Sequence, residues 1–375
     1  MRRLLAAALL TAVAASACSA PEPPRSAAPS AAPARPVTLP VPAGGPIGST
    51  VLHLTDASRP DPWDESLPAR ELKVTLWYPT KPGDGPRAPY MSVKEAELLL
   101  TGTGMAPESS QALSQTRTHA VRDADPAGRG LPLVVLSPGF TKPMSTLTSL
   151  AEDLAARGYV VAGIDHTHES YATTLADGRV VGCLACESSN DPGFRAGLVR
   201  GRAADVSFVL DRLTTAYPHL IDRERIAMAG QSIGGAAAVA AMVADPRIRA
   251  GIDMDGTTYA RIPDGGLSRP FLFLGTPQHA PGGLDHSWDR DWRKLTGWRR
   301  WLVVDRAEHQ TFTDVPLVAG VIGLESLPGM LPAARGAELT RAYVAAFLDL
   351  HLRGRPQPLL DGPSPRHPEV RFAAQ

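Results

Sequence analysis

Gly230-Gln231-Ser232-Ile233-Gly234 places a serine among glycines, directly after the apolar run Ile226-Ala227-Met228-Ala229 and just before Gly235-Ala236-Ala237-Ala238-Val239-Ala240-Ala241-Met242. A strand, a G-x-S-x-G and a helix in that order build a tight turn that lifts the serine hydroxyl above a sheet edge. A hydroxyl is a weak nucleophile until a base takes its proton and a carboxylate orients that base. With this turn, both partners are expected after the serine, acid first and histidine second. Five histidines follow Ser232: His279, His286, His309, His351 and His367. His309 fits the base, because it lies in the loop Asp305-Arg306-Ala307-Glu308-His309-Gln310 just beyond the strand-like run Trp301 to Val304. His279 and His286 are weaker rivals. His351 falls in a terminal helical stripe and His367 in a proline-rich tail. For the acid, Gly251-Ile252-Asp253-Met254-Asp255-Gly256 offers two aspartates at the end of the next strand. Asp255, last and beside a glycine, is the expected orienter, and Asp253 is the alternative. No carboxylate follows the later strand Phe271 to Leu274 until Asp285. The negative charge that develops on an attacked carbonyl needs backbone donors. Ile233 N–H, at the start of the helix, and Phe140 N–H, in Ser137-Pro138-Gly139-Phe140, are the expected pair.

Such a set requires strands that end at one rim and helices that return the chain. Eight runs read as strands: Val51 to Leu54, Leu72 to Tyr78, Leu133 to Leu136, Tyr159 to Ile164, Ile226 to Ala229, Ala250 to Met254, Phe271 to Leu274 and Trp301 to Val304. Several are nearly unbroken Val, Ile and Leu, as expected for a parallel sheet covered on both faces. Between them Val199, Ala203, Val206, Leu210 and Leu213 recur at helical spacing, with Arg200, Arg202 and Asp211 on the other face. A last helix carries Leu339, Tyr343, Phe347 and Leu350 and is expected to stop at Gly354. Residues 88–130 read as an insertion with a helix from Val93 to Leu100, positioned to wall a cleft. The fold class is therefore α/β, a mostly parallel central sheet flanked by helices, in one domain over residues 47–354. Residues 355–375 are a proline-rich tail that wraps the surface or frays.

The 375 residues carry 38 basic and 38 acidic side chains, so no net positive field attracts a phosphate backbone. Nucleic acid is not an expected partner. Residues 1–18 read as a signal peptide: Met1-Arg2-Arg3, an apolar stretch from Leu4 to Ala14, then Ala15-Ser16-Ala17-Cys18. The small residues before Cys18 resemble the lipobox of bacterial lipoproteins, which implies a lipidated cysteine and attachment to a membrane surface. Ala15-Ser16-Ala17 also suits plain secretion. Residues 19–46 hold nine prolines and no aromatic residue, the composition of a disordered tether. Cys183 and Cys186 form a C-x-x-C for which a local disulfide is expected in an exported chain, with free thiols or a redox pair as alternatives.

With these residues placed, the chain resembles the α/β-hydrolase family of platelet-activating factor acetylhydrolases, plasma and isoform II type, and their bacterial lipase and esterase relatives. The likeness spans about residues 50–352. It rests on Arg59-Pro60-Asp61-Pro62-Trp63, Trp77-Tyr78-Pro79, Ser137-Pro138-Gly139-Phe140, Ile164-Asp165-His166-Thr167, Asp177-Gly178-Arg179, the serine turn, Gly251 to Asp255, and Glu308-His309-Gln310 with Phe312 and Asp314. The resemblance implies a serine esterase that needs no metal or cofactor and acts on short-chain acyl esters or phospholipid acyl groups. It also places the acid at Asp255 and makes His166 structural, although His166 and His168 alone could suggest a metal site. Two positions depart from the family: Gln231 stands where relatives commonly have histidine, and Pro138-Gly139 where many have His-Gly. A general lipase or polyesterase of this fold, and a non-catalytic lipid-binding lipoprotein, are the rival readings.

Overall fold

The computed structural model describes residues 36–324 and 328–373; Cys18, the signal segment and residues 19–35 of the tether lie outside the described residues. Twelve strands are present among them: β1 (Ile47–Asp56), β2 (Arg70–Pro79), β3 (Val121–Arg122), β4 (Leu131–Ser137), β5 (Val160–His166), β6 (Thr173–Thr174), β7 (Val180–Val181), β8 (Ile221–Gln231), β9 (Ile248–Met254), β10 (Phe271–Gly275), β11 (Arg299–Val304) and β12 (Val370–Phe372). The α-helices are α1 (Val93–Gly102), α2 (Ser110–Ser114), α3 (Thr148–Ala156), α4 (Phe194–Ala216), α5 (Ile233–Ala244), α6 (Ser287–Trp292), α7 (Val315–Val318) and α8 (Ala333–Arg353). All eight expected strands occur. The four not anticipated are two or three residues long, too short to show a period.

Ten strands form one sheet in the order β12-β11-β10-β9-β8-β4-β5-β2-β1-β3. From β5 to β11 neighbours run parallel, while β2 and β12 pair antiparallel at the two flanks of that block. Side-chain alternation divides the core between the two faces. Leu133 and Val135 of β4 pack with Val206 and Leu210 of α4 and with α5, whereas Val134 and Leu136 pack with Leu150 and Leu154 of α3 and with Tyr343 and Phe347 of α8. Both faces are buried, which explains why these strands read as continuous apolar runs. This is the α/β-hydrolase fold. Among the described residues, no helix is long and apolar enough to cross a membrane.

Local signals explain the ends of two helices. Ser92 Oγ accepts the N–H of Glu95 while Ser92 N–H donates to the Glu95 carboxylate, a reciprocal cap that starts α1. Gly354, at φ 63°, closes α8 in the left-handed region open to glycine. The insertion carries α1 against β1 and β2, around a cavity of about 470 Å³ lined by Lys73, Trp77, Tyr90, Glu95 and Glu152. The insertion thus walls a cleft, one that does not include Ser232, Asp255 or His309.

The expected domain limits need correction at both ends. Residues 37–46 are not a loose tether. Leu39 is 1% exposed, its N–H donates to Arg117 O, and the Arg341 guanidinium binds the carbonyls of Pro40 and Val41. Proline removes N–H donors but leaves carbonyls, and here a largely buried arginine satisfies them. The 355–375 tail extends the fold as well. Leu360 is fully buried, and β12 pairs with β11 through Leu302↔Phe372, Val303↔Arg371 and Val304↔Val370. Cys183 and Cys186 are joined as a disulfide with an S–S distance of 2.08 Å.

Candidate active site

Ser232 sits between β8 and α5 with φ 57° and ψ −126°, a backbone strained for a residue with a side chain. Its N–H donates to Met254 O at 2.9 Å, which ties the turn to the end of β9. Flanking glycines make the turn sterically feasible. A Cβ on Gly230 would lie 2.2 Å from the Gly234 carbonyl carbon, and one on Gly234 would lie 2.0 Å from Ser137 O. The close approach of Gly234 also brings the loop after β4 beside the serine: a Cβ on Gly139 would be 3.5 Å from Ser232 Cβ.

The two aspartates after α5 separate by environment. Asp255, itself at φ 59°, accepts from His309 Nδ1 at 2.7 Å through Oδ2. Burial raises its carboxyl, but hydrogen bonds from His279 and His309 outweigh burial and hold it well below the ordinary range. Asp253 is fully buried and accepts the Gly256 N–H through Oδ1, while Oδ2 has no partner among the described residues. Burial pushes the Asp253 carboxyl well above the ordinary range. The structure thus brings Asp255, rather than Asp253, to His309.

His309 opens a short 3-10 turn, His309–Phe312, just past β11, and its side chain is 48% exposed. With Nδ1–H directed at Asp255, the neutral ring carries its lone pair on Nε2, the tautomer a general base requires. The amide nitrogen of Gln231 donates to His309 O at 2.9 Å and lies 3.3 Å from Nε2. Among the described residues Ser232 Oγ makes no hydrogen bond to His309, so in this state the neighbouring glutamine holds the imidazole edge. Such hydrogen bonds are commonly long in a free enzyme and tighten when substrate binds. Ile233 is the first residue of α5, and Phe140 sits in the loop against Phe194, whose ring in turn meets Trp63.

Residues 199–354 match the family model of platelet-activating factor acetylhydrolase, isoform II. A probable 1-alkyl-2-acetylglycerophosphocholine esterase of Arthroderma benhamiae is 30% identical over 368 residues, covering 89% of this chain and 93% of the relative. The chain belongs to the platelet-activating factor acetylhydrolase family. The family's canine member, the platelet-activating factor acetylhydrolase of Canis lupus familiaris, is 24% identical over 60% of this chain and 58% of its own length. Among solved structures, a ferulic acid esterase from Streptomyces cinnamoneus superposes with a TM-score of 0.82 at 46% identity, covering 90% of this chain and 99% of that one. These relatives are ester hydrolases, and so is this member of the family.

One part of this family member's site escaped the sequence reading. Helical spacing puts Arg202 on the face opposite the apolar stripe, yet it is 1% exposed. Its Nη1 donates to Ser137 Oγ at 3.1 Å and to Pro138 O, clamping the loop that carries Phe140, and its Nε donates to Glu169 at 2.7 Å. His166 joins the same group, with Nε2 3.0 Å from Ser137 Oγ and Nδ1 2.7 Å from Asp205. Both His166 nitrogens are spent on these partners, and burial keeps the ring below its ordinary pKa. Arg70 completes the group by binding Asp61, Glu169 and Asp205. Arg202 and Asp205 stand three apart on α4, a pair that could have been read as one face; their distant acidic and basic partners could not.

Proposed function

We propose that Ser232, His309 and Asp255 form the catalytic set of this ester hydrolase. The 2.7 Å contact between His309 Nδ1 and Asp255 Oδ2, at the rim where the strained serine turn ends, carries the reading. Ser232 Oγ attacks the ester carbonyl carbon as its proton passes to His309 Nε2. The carbonyl electron pair moves onto oxygen, where the Phe140 and Ile233 N–H groups stabilise it. When the C–O bond to the alcohol breaks, Nε2 returns the proton to that oxygen. Water then attacks the acyl-serine through the same base and restores the hydroxyl. Ser232→Ala or His309→Ala should lower kcat by about three orders of magnitude or more with the fold retained. The check is steady-state hydrolysis of p-nitrophenyl acetate beside circular dichroism and fluorophosphonate labelling. Full activity in Ser232→Ala would overturn the assignment.

For substrate, we read short-chain acyl esters and phospholipid acyl groups, the chemistry named for the fungal and canine relatives. The tier Phe140, Phe194 and Trp63, with neighbouring ring centroids 5.5 and 5.6 Å apart, favours a second reading in which a flat aromatic acyl group stacks beside the loop. A panel of p-nitrophenyl esters of increasing length, an oxidised phospholipid and methyl ferulate separates the two by kcat/KM. We also propose export through residues 1–18 and anchoring through Cys18 to a membrane surface. Mature protein in the aqueous detergent phase, unaffected by Cys18→Ala, would remove the anchor and leave secretion.

A further inference from the structure

Asp255 has two oxygens, and the proposed mechanism uses only Oδ2. Oδ1 accepts the Thr276 N–H at 2.7 Å and His279 Nδ1 at 2.9 Å. His279 is 5% exposed. Its ring stacks on Trp288 at 4.4 Å, and its carbonyl accepts Trp301 Nε1–H at 2.8 Å. Its other nitrogen, Nε2, lies 3.2 Å from Asp285 Oδ2, close enough for an ion pair although not aligned as a hydrogen bond. Asp285 is held in turn by Thr257 Oγ1 and by Ser287 N–H. The charged or titratable groups around the ring are thus Asp255 and Asp253 from β9 and its end, Asp285 from the segment before α6, and His309 across Asp255.

A neutral imidazole carries one N–H, so between two carboxylates one of its lone pairs would face an anion. An imidazolium presents N–H to both. Burial works against that charge, but the hydrogen bond to Asp255 and the close Asp285 carboxylate prevail and push the ring up to about 10.

We propose that His279 is a positioning residue of the site: a buried imidazolium that pins Oδ1 of Asp255 and sets a fixed positive charge behind the Asp255–His309 pair. This rests on the catalytic reading above. A cation behind the carboxylate offsets part of its negative charge, so removing that cation leaves Asp255 a stronger electrostatic partner for the ring it orients.

His279→Asn keeps a donor near the Nδ1 position and removes the charge. Its acid limb of kcat/KM should move to higher pH by about one unit, with activity above the limb within about tenfold of the parent. A purely packing role would lower stability and leave the limb where it was. An unmoved limb, in a protein where Ser232→Ala still abolishes turnover, overturns the proposal. The intact enzyme gives an independent readout that does not depend on a variant folding. In histidine-labelled protein, the His279 ring should stay protonated at both nitrogens between about pH 6 and 9, and a ring that is neutral at pH 7 would equally refute it. Activity surviving in Ser232→Ala would instead remove the catalytic reading while leaving the protonation measurement to stand or fall separately.

Discussion

At the residue scale, two carboxylates one residue apart do opposite things because one faces hydrogen-bond donors and the other faces the core. Asp255→Asn leaves an amide where His309 needs a charged acceptor and allows the wrong tautomer, so kcat should fall by about 10³ to 10⁴ at neutral pH. Burial holds the Asp253 carboxyl well above the ordinary range, and Asp253→Asn, close to isosteric, should keep kcat within about tenfold. Equal losses from the two variants in the same ester assay would contradict this division. The turn at Ser232 and the loop position of His309 were legible in the sequence because the first sits in a contiguous motif and the second directly follows a strand. Between Asp253 and Asp255 the sequence could offer only a preference, since burial and donor count are properties of the fold. His279 was weighed as a base and proves to face the opposite oxygen of the acid. Nothing in its neighbours in sequence reveals that both its nitrogens meet carboxylates.

At the element scale, the short segment after β11 must be held while its histidine works. Asp314, just before α7, is fully buried beneath it: its N–H donates to Thr146 O, and its carboxyl binds the hydroxyl and N–H of Ser149 on α3. Burial pushes this carboxyl up to about 7, against the pull of the Ser149 hydrogen bonds. An acid whose folded pKa is raised stabilises the protein fully below its unfolded value, about 4, and that contribution is lost as pH rises through the folded value. Thermal midpoints should therefore fall for the parent relative to Asp314→Asn between about pH 4 and 7, by several degrees for each lost kcal/mol in a small domain and fewer in one this size. Parallel midpoint curves for the two proteins would refute the linkage. The amphipathic stripe of α4 was visible in sequence, yet Arg202 was placed on its wet side, because a charged residue at a polar position reads as exposed. Its burial depends on Glu169 and on the β4 loop, 33 and 64 residues away, respectively.

At the scale of the whole molecule, eight strands in a mostly parallel sheet could be anticipated from the apolar runs, but their order in the sheet and the ends of the domain could not. Composition counts prolines and misses that Leu39 is buried beside Tyr90 and Met91. The far end shows the same blindness, since β12 is three residues long and enters the sheet only by pairing with β11. A chain stopped at Gly354 would lose the burial of Leu360 and Val370 and the Arg335–Glu369 ion pair. It should lose about 3 to 5 kcal/mol and expose a sheet edge prone to association. Chemical denaturation and size-exclusion chromatography would test this, and an equally stable monomer would contradict it.

That edge governs timing as well as stability. The strand that leads to His309 gains its outer neighbour only from residues 370–372, so during synthesis the serine turn can be in place while His309 still lacks that support. A nonsense codon between positions 354 and 370 would then release a body with the Ser232 turn formed and His309 poorly held, and a folding assay on ribosome-bound fragments should find activity arriving late and all at once.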